Sequence, residues 1–391
     1  MQHYLDHAAT TPLRPESRDA WLQAVSVIGN ASSTHGAGQD ARRLLEESRE
    51  RIAAVLGCDP IEVVLTSGGT ESINTALRGL WTSRPSLTSA IVLPDAEHHA
   101  TVDTVAALAR EGAEVRAVRV TDQARIDAGA FAAALPGAAL ATALIANNEA
   151  GTINDAAALS RAASEAVVAL HLDAVAALGH VPLSYRELRG DAPAGSGLVA
   201  MSVAGHKIGA PVGVGALVVA RTARMSALLH GGAQQRGLRA GTQDIAGAAA
   251  FAAAVECAEA ERDAESVRLA RLRDRLISGI LDRVPDAVPL GDRIDRLPGN
   301  AHVLFPGAVG ESLLFLLDVA GIAASTGSAC QAGVAEPSHV VMAMGRSEQD
   351  ARSVLRFTLG RTSTDQDVDA VLAVIPDVYA RASGSGSASG S

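Results

Sequence analysis

The sequence predicts an α/β protein built on a mostly parallel sheet in three layers, and three observations carry that expectation. Short apolar runs of strand character alternate with helical stretches along most of the chain. A glycine-rich turn, Ser67-Gly-Gly-Thr-Glu-Ser72, joins one such run to the start of a helix. A second apolar run ends in the turn Gly205-His-Lys207, between Met201 and Pro211.

Taken in order, the spacing predicts a helix over about 15–27, a loop with capping residues over 29–35, and an amphipathic helix over about 38–56. Strands are expected at 61–66, 90–93, 115–120, 139–146 and around Asp173, with helices over 100–110 and 156–169 between them. Near Gly247 the pattern changes to a long alanine-rich helix reaching about 281. Beyond it the sequence predicts a strand at 302–305, a helix over 310–320, a strand-like run at 352–359 and a helix over 365–380. The expected organisation is a large domain over 15–260 and a smaller one formed by 1–14 with 261–381. Residues 382–391 read as a flexible Gly/Ser tail outside the fold, and no internal repeat is visible.

Composition narrows the function classes. The chain has 391 residues, enough for two domains with a large core, and its 48% hydrophobic and 19% charged content is that of a soluble globular protein. A net charge of -10 with 3% aromatics lacks both the basic patch and the stacking platform of nucleic-acid binders, so no direct nucleic-acid partner is expected. The three cysteines, Cys58, Cys257 and Cys330, form no CxxC pair and no zinc pattern, and their odd number leaves one free. That usage fits a reducing, cytoplasmic setting. The N-terminus has neither a basic nor an apolar leader region, and no apolar run approaches the roughly 18 residues of a membrane span, so no membrane partner is expected.

Several polar residues stand where chemistry is plausible. Lys207, at the end of a buried strand, is placed to be desolvated; that lowers an amine pKa and makes the amine a nucleophile toward an aldehyde. Asp173 sits in an apolar strand, where a carboxylate needs a partner; the protonated nitrogen of a pyridine ring would serve, and so would a helix to cap. Gly69 and Thr70 begin a helix whose exposed amides suit a phosphate, although the same sequence makes an ordinary cap. No Walker lysine follows, which disfavours nucleotide hydrolysis. In Glu97-His98-His99 a histidine is suited to stack on a flat ring; the alternatives are a solvated surface pair or a metal site, which adjacent side chains and the lack of a third ligand disfavour, so no metal is expected. Asn147-Asn148 offers an amide to a ring oxygen or simply makes a turn. Arg356, amid apolar neighbours, suits bidentate recognition of a carboxylate, or else points outward from its strand. Cys330 lies in a Gly/Ser loop of the kind a moving thiol requires, whereas Cys58 and Cys257 read as packing residues. A Schiff-base lysine, a buried aspartate and a thiol on a loop together point to pyridoxal phosphate (PLP) chemistry ending at sulfur.

As an ordered set these segments resemble the class V aminotransferases, and within them the cysteine desulfurases with a long catalytic-cysteine loop. The resemblance rests on Tyr4-Leu-Asp-His-Ala-Ala-Thr-Thr-Pro12, Gly29-Asn-Ala-Ser-Ser33, Thr66-Ser-Gly-Gly-Thr-Glu71, Glu97-His98, Asn147-Asn-Glu149, Gly205-His-Lys207, His230-Gly-Gly232, Arg239-Ala-Gly-Thr242, Ser328-Ala-Cys330 and Arg356-Phe-Thr-Leu-Gly-Arg361. It implies the fold type I, aspartate aminotransferase-like architecture of PLP-dependent transferases, and a homodimer. By the same resemblance Lys207 holds PLP in an imine, Asp173 pairs with the ring nitrogen, His98 stacks on the ring, and Thr70 and His206 bind the phosphate with Thr242 of the neighbouring subunit. Asn148 lies near the cofactor oxygen or substrate, Arg356 holds the substrate carboxylate, and Cys330 accepts sulfur from L-cysteine as a persulfide. Alanine is the co-product, and a protein or thiol acceptor then takes the sulfur, with iron–sulfur cluster assembly among the pathways so served.

Two positions depart from the pattern. Ala176 stands three residues after the aspartate, where the family usually has a glutamine that hydrogen-bonds the cofactor's phenolic oxygen, and Ala204 replaces a phosphate-binding serine. The first change leaves room for a selenocysteine lyase or another β-lyase on the same fold. A reading of a different class, an inactive scaffold of a sulfur pathway, is disfavoured by the presence of Lys207, Asp173 and Arg356.

Overall fold

The computed structural model describes residues 3–85, 87–327, 330–331 and 334–384. At its centre is a seven-stranded sheet in the order Val63–Thr66, Gly215–Val219, Gly197–Ala204, Ala169–Asp173, Ala138–Leu144, Ala90–Pro94, Glu114–Val118. Every strand is parallel to the others except Gly215–Val219, which is antiparallel to both of its neighbours. Apart from the edge strand Glu114–Val118, which is largely exposed, its strands are mostly apolar on both faces because helices cover both sides.

The helices begin and end where local chemistry allows. Pro15 opens the Pro15–Val25 helix at a position where no amide donor is needed. The Gly36–Leu56 helix is capped by the His35 ring, which accepts from the Gly38 amide, and stops at Gly57 in the left-handed conformation (φ 64°). Asp155 caps the Ala156–Glu165 helix. That helix is shorter than the 156–169 expected: the chain reverses at Val167 (φ 56°), and Ala169 already belongs to the Asp173 strand. The strand expected from 61 starts at Val63, because Pro60–Glu62 forms a 3-10 turn closed by an Asp59/Glu62 capping box. Two further boundaries tighten to Glu114–Val118 and Ala138–Leu144.

The remaining chain builds a three-stranded antiparallel sheet from Val288–Leu290, Asn300–Leu304 and Val354–Thr358, backed by Gly310–Val319 and Asp365–Ala382. A 39-residue helix, Ile245–Arg283, runs from one part to the other, with Asp244 as its cap. Its alanine-rich first half packs into the cluster around the large sheet, up to Ala258. Leu269, Leu272, Leu276 and Ile280 belong instead to a second cluster with Phe305, Leu313, Phe357 and Val371. Leu5 joins that second cluster, and His3–Tyr4 pairs in parallel with Ile322–Ala323. Among the described residues no helix is long and apolar enough to cross a membrane.

One consequence of the topology positions the site. Gly69, His98, Asn148, Asp173 and Lys207 all lie at or just beyond the carboxyl ends of five different parallel strands. In open α/β sheets this edge is where ligands bind.

Candidate active site

Those five residues converge on one cavity of about 430 Å³, completed by Thr70, Val175, Ala176, His206, Ser325, Gly327 and Arg356. The N-terminal segment supplies a wall through His7, Ala8 and Ala9. Lys207 stands in a 3-10 turn at the end of Gly197–Ala204. Its Nζ donates to the carbonyls of Ala8 and, at 3.1 Å, of Ala9. Burial, reinforced by the nearby Arg356 charge, brings its pKa down to about 8. Much of the amine is therefore free base at slightly alkaline pH, the form that attacks an aldehyde.

Asp173 is 2% exposed, and burial pushes its pKa up to about 6. One carboxylate oxygen accepts from the Val175 amide at 2.9 Å. Asp173 thus closes the turn that follows, where no helix begins, and it lines the cavity. Two residues earlier His171 bridges three strands, bonding Thr142 at 2.9 Å and Ser202 at 2.8 Å, and burial lowers its pKa to about 3. It fixes the strand that carries Asp173 without reaching the cavity.

Glu97-His98-His99 is not a solvated surface pair. His98 caps the His99–Arg110 helix: its Nδ1 accepts from the Ala100 amide at 3.0 Å, which puts the proton of the neutral ring on Nε2. Burial holds its pKa near 4, so the ring is neutral. Glu97 is fully buried and its pKa rises to about 8, chiefly from burial; one oxygen accepts from Leu144 N–H at 2.8 Å and the other has no partner.

The Asn-Asn pair divides its work. Asn147 builds the turn, donating to Ala96 O at 2.9 Å and accepting from the Glu149 and Ala150 amides, while Asn148 lines the cavity. Arg356 is buried, which overturns the outward orientation. Its Nη2 bonds Asp6 Oδ1 at 2.9 Å, its Nη1 bonds Asn148 O at 3.0 Å, and Nε has no partner.

Gly68 (φ 145°) precedes the Gly69–Thr82 helix, whose first amides open toward the cavity at Gly69 and Thr70. A Cβ at Gly69 would lie 2.7 Å from Val175 Cγ2, so only glycine lets this helix end approach the Asp173 turn. His206 is neutral, its pKa lowered to about 4 by burial and by Lys207. Ala176 lines the cavity, so the missing glutamine would have stood at this wall; Ala204 is fully buried at the strand end.

Two expected residues lie apart. Thr242 is exposed and does not border its own chain's cavity. For Cys330 the backbone alone is described. Within the Gly/Ser loop expected there, Cys330–Gln331 pairs antiparallel with Val334–Ala335; Ser328, Ala329 and the Gly/Ser tail from 385 onward lie outside the described residues. Asp6, His7, Ala8 and Ala9 carried no separate signal in the sequence. They reach the site across about 200 to 350 residues of chain, which periodicity does not register.

These elements define a fold type I α/β enzyme. The cavity suits PLP on observable grounds: an amine of lowered pKa, a buried carboxylate to match a cationic ring nitrogen, and helix amides for a phosphate. The aminotransferase class-V family model matches residues 3–371. An IscS-like cysteine desulfurase of Mycobacterium tuberculosis is 46% identical over 97% of this chain and 96% of its own length. A cysteine desulfurase of Gluconacetobacter diazotrophicus is 40% identical over 97% and 93%. Among solved structures, a NifS-like protein superposes with a TM-score of 0.89 at 29% identity, covering 97% of this chain and 100% of its own. DndA from Streptomyces lividans superposes with a TM-score of 0.74 at 34% identity, covering 91% and 99%. The chain belongs to the class V aminotransferase family, in its cysteine desulfurase branch. That family is PLP-dependent.

Proposed function

We propose that the protein is a PLP-dependent cysteine desulfurase that converts L-cysteine to L-alanine and holds the sulfur as a persulfide on Cys330. The observation that carries this reading is the convergence of Lys207, Asp173, His98 and Arg356 on one cavity at the carboxyl edge of the sheet. When bound, PLP supplies an aldehyde for the substrate amine and a ring that accepts the electrons left at Cα. Asp173 would stabilise the ring's positive nitrogen, His98 would pack against the ring, and Gly69, Thr70 and His206 would hold the phosphate with Thr242 of a second subunit. Arg356 orients the substrate carboxylate, and Asn148 borders the same space. Once released, the Lys207 amine takes the Cα proton, which its lowered pKa equips it to do.

The Cys330 thiolate then attacks the substrate sulfur. The S–S bond forms as the Cβ–S bond breaks; the carbon skeleton keeps the bonding electrons, takes one proton at Cβ, recovers the Cα proton from Lys207 and leaves as alanine. A protein or thiol acceptor removes the sulfur, in a pathway such as iron–sulfur cluster assembly. We place the enzyme in the cytoplasm as a homodimer, with residues 15–260 as the PLP-binding domain and 1–14 with 261–381 as the smaller one. The division of the core within the long helix supports that boundary.

The test is incubation with L-cysteine and a reductant, measuring alanine and sulfide for the wild type and Cys330→Ala. Wild type is expected to yield both and the variant neither; equal sulfide from the two would remove Cys330 from the mechanism and favour a β-lyase.

A further inference from the structure

Glu149 follows the two asparagines of the cavity turn, and nothing in the chemistry above uses it. It is 2% exposed, and a carboxylate so buried needs strong partners. Its backbone is fixed from both sides: its N–H donates to Asn147 Oδ1 at 2.9 Å, and its carbonyl accepts from Asn300 Nδ2 at 3.1 Å. The preceding carbonyl, Asn148 O, accepts from Arg356. Glu149 is thus joined to the wall that would hold the substrate.

Its carboxylate bonds the far end of the segment that carries Cys330 and lies close to the near end. On the far side Ser338, fully buried, donates its hydroxyl to Glu149 Oε2 and accepts from Val341 N at 3.1 Å, capping the His339–Ala343 helix. On the near side Gly327 packs against the same oxygen: a Cβ there would lie 3.2 Å from Oε2, and φ is +87°. Each stem is held again nearby. Gly327 N–H donates to Ser325 Oγ at 3.0 Å, and Ser325 N–H donates to Arg356 O at 3.2 Å. His339 Nε2 donates to Glu97 O at 2.8 Å, beside the ring-facing His98.

We propose that Glu149 is a positioning residue that fastens the C-terminal stem of the Cys330 segment, at Ser338, to the Asn148–Arg356 wall. The proposal rests on the reading of Cys330 as the sulfur acceptor. The anchor fixes Ser338 on the substrate wall, and with it the point from which the chain runs back to Cys330. Fixing two reactants in this way raises their effective concentration. The binding of the amino acid itself, which uses Arg356 and the cofactor, does not depend on the anchor. Glutamine keeps the size and the acceptor that the Ser338 hydroxyl needs; alanine keeps neither.

The experiment uses holoenzyme and two readouts: the L-cysteine concentration dependence of the cofactor absorbance change, and single-turnover persulfide formation followed by mass on the Cys330 peptide. Glu149→Ala is expected to bind L-cysteine within about twofold of wild type and to form persulfide at least about tenfold more slowly, with Glu149→Gln within about threefold of wild type. Ser338→Ala, which removes the hydroxyl that Glu149 accepts from, is expected to reproduce the Glu149→Ala split, and it carries the test alone if Glu149→Ala does not fold. Wild-type persulfide rates in Glu149→Ala, a parallel loss of binding and persulfide, or no rescue by glutamine would overturn the proposal. Cys330→Ala keeps the two ideas apart: persistent alanine formation in it refutes the acceptor, whereas an inactive Cys330→Ala beside an unimpaired Glu149→Ala refutes only the anchor.

Discussion

Asp6 shows what a single residue adds that the sequence hides. Lys207, Asp173 and Arg356 are legible because each is a charged group stranded in an apolar run, a pattern that needs an explanation wherever it occurs. Asp6 lies in a stretch that carries the family resemblance, yet nothing in the sequence names its partner; that appears only when folding brings it within 2.9 Å of Arg356, at 20% side-chain exposure against 6% for the arginine. With Asn148 O it holds two of the three guanidinium nitrogens and so sets the direction in which the fork faces. Asp6→Ala is expected to raise KM for L-cysteine about tenfold, roughly the 1.4 kcal/mol of one charge-assisted hydrogen bond, with kcat within about twofold. Steady-state kinetics check this; an unchanged KM would mean that packing alone orients Arg356.

At the scale of elements, the long periodic helices and the apolar strands were readable, and their ends were less so. The run over 156–169 has helical composition throughout, yet tertiary structure ends the helix at Glu165 and uses Ala169–Asp173 as a strand. Gly215–Val219 was missed because it is a short apolar stretch directly after the Lys207 turn, and its pairing partners come from distant parts of the chain. The helix starting at Gly69 was legible from its glycines, but their reason was not: the start of that helix abuts Val175, on the turn that Asp173 caps. Gly69→Ala is expected to weaken PLP affinity about tenfold, and adding Val175→Ala to restore most of it, a coupling measured by a double-mutant cycle on cofactor titration. Additive losses would show that the close approach does not govern the cofactor site.

Over the whole molecule, burial of titratable groups makes stability depend on pH. His7, His98, His180 and His206 have pKa values lowered to about 4, and His171 and His302 to about 3. Below the ordinary value of 6.5 the unfolded chain therefore binds more protons than the folded one, so the stability these rings contribute above 6.5 is lost as pH falls toward 4 and 3. Glu97 (about 8) and Asp173 (about 6) act with the opposite sign: their contributions are present at acid pH and are lost as pH rises through those values. Six histidines outweigh two carboxyls between pH 4.5 and 6.5. The thermal midpoint of the apoprotein is expected to peak near neutrality and fall steeply below pH 6.5; a flat profile from 7 to 5 would contradict the burial of these rings. None of this was legible in the sequence, since His302 and His171 are buried by strand register alone.

The account depends most on the amine at Lys207 being the group that carries PLP. Borohydride reduction of the PLP-loaded protein, followed by peptide mapping, measures this directly. A pyridoxyl mass on the peptide containing Lys207 is the predicted result; the same mass on another lysine, or on none, would contradict it.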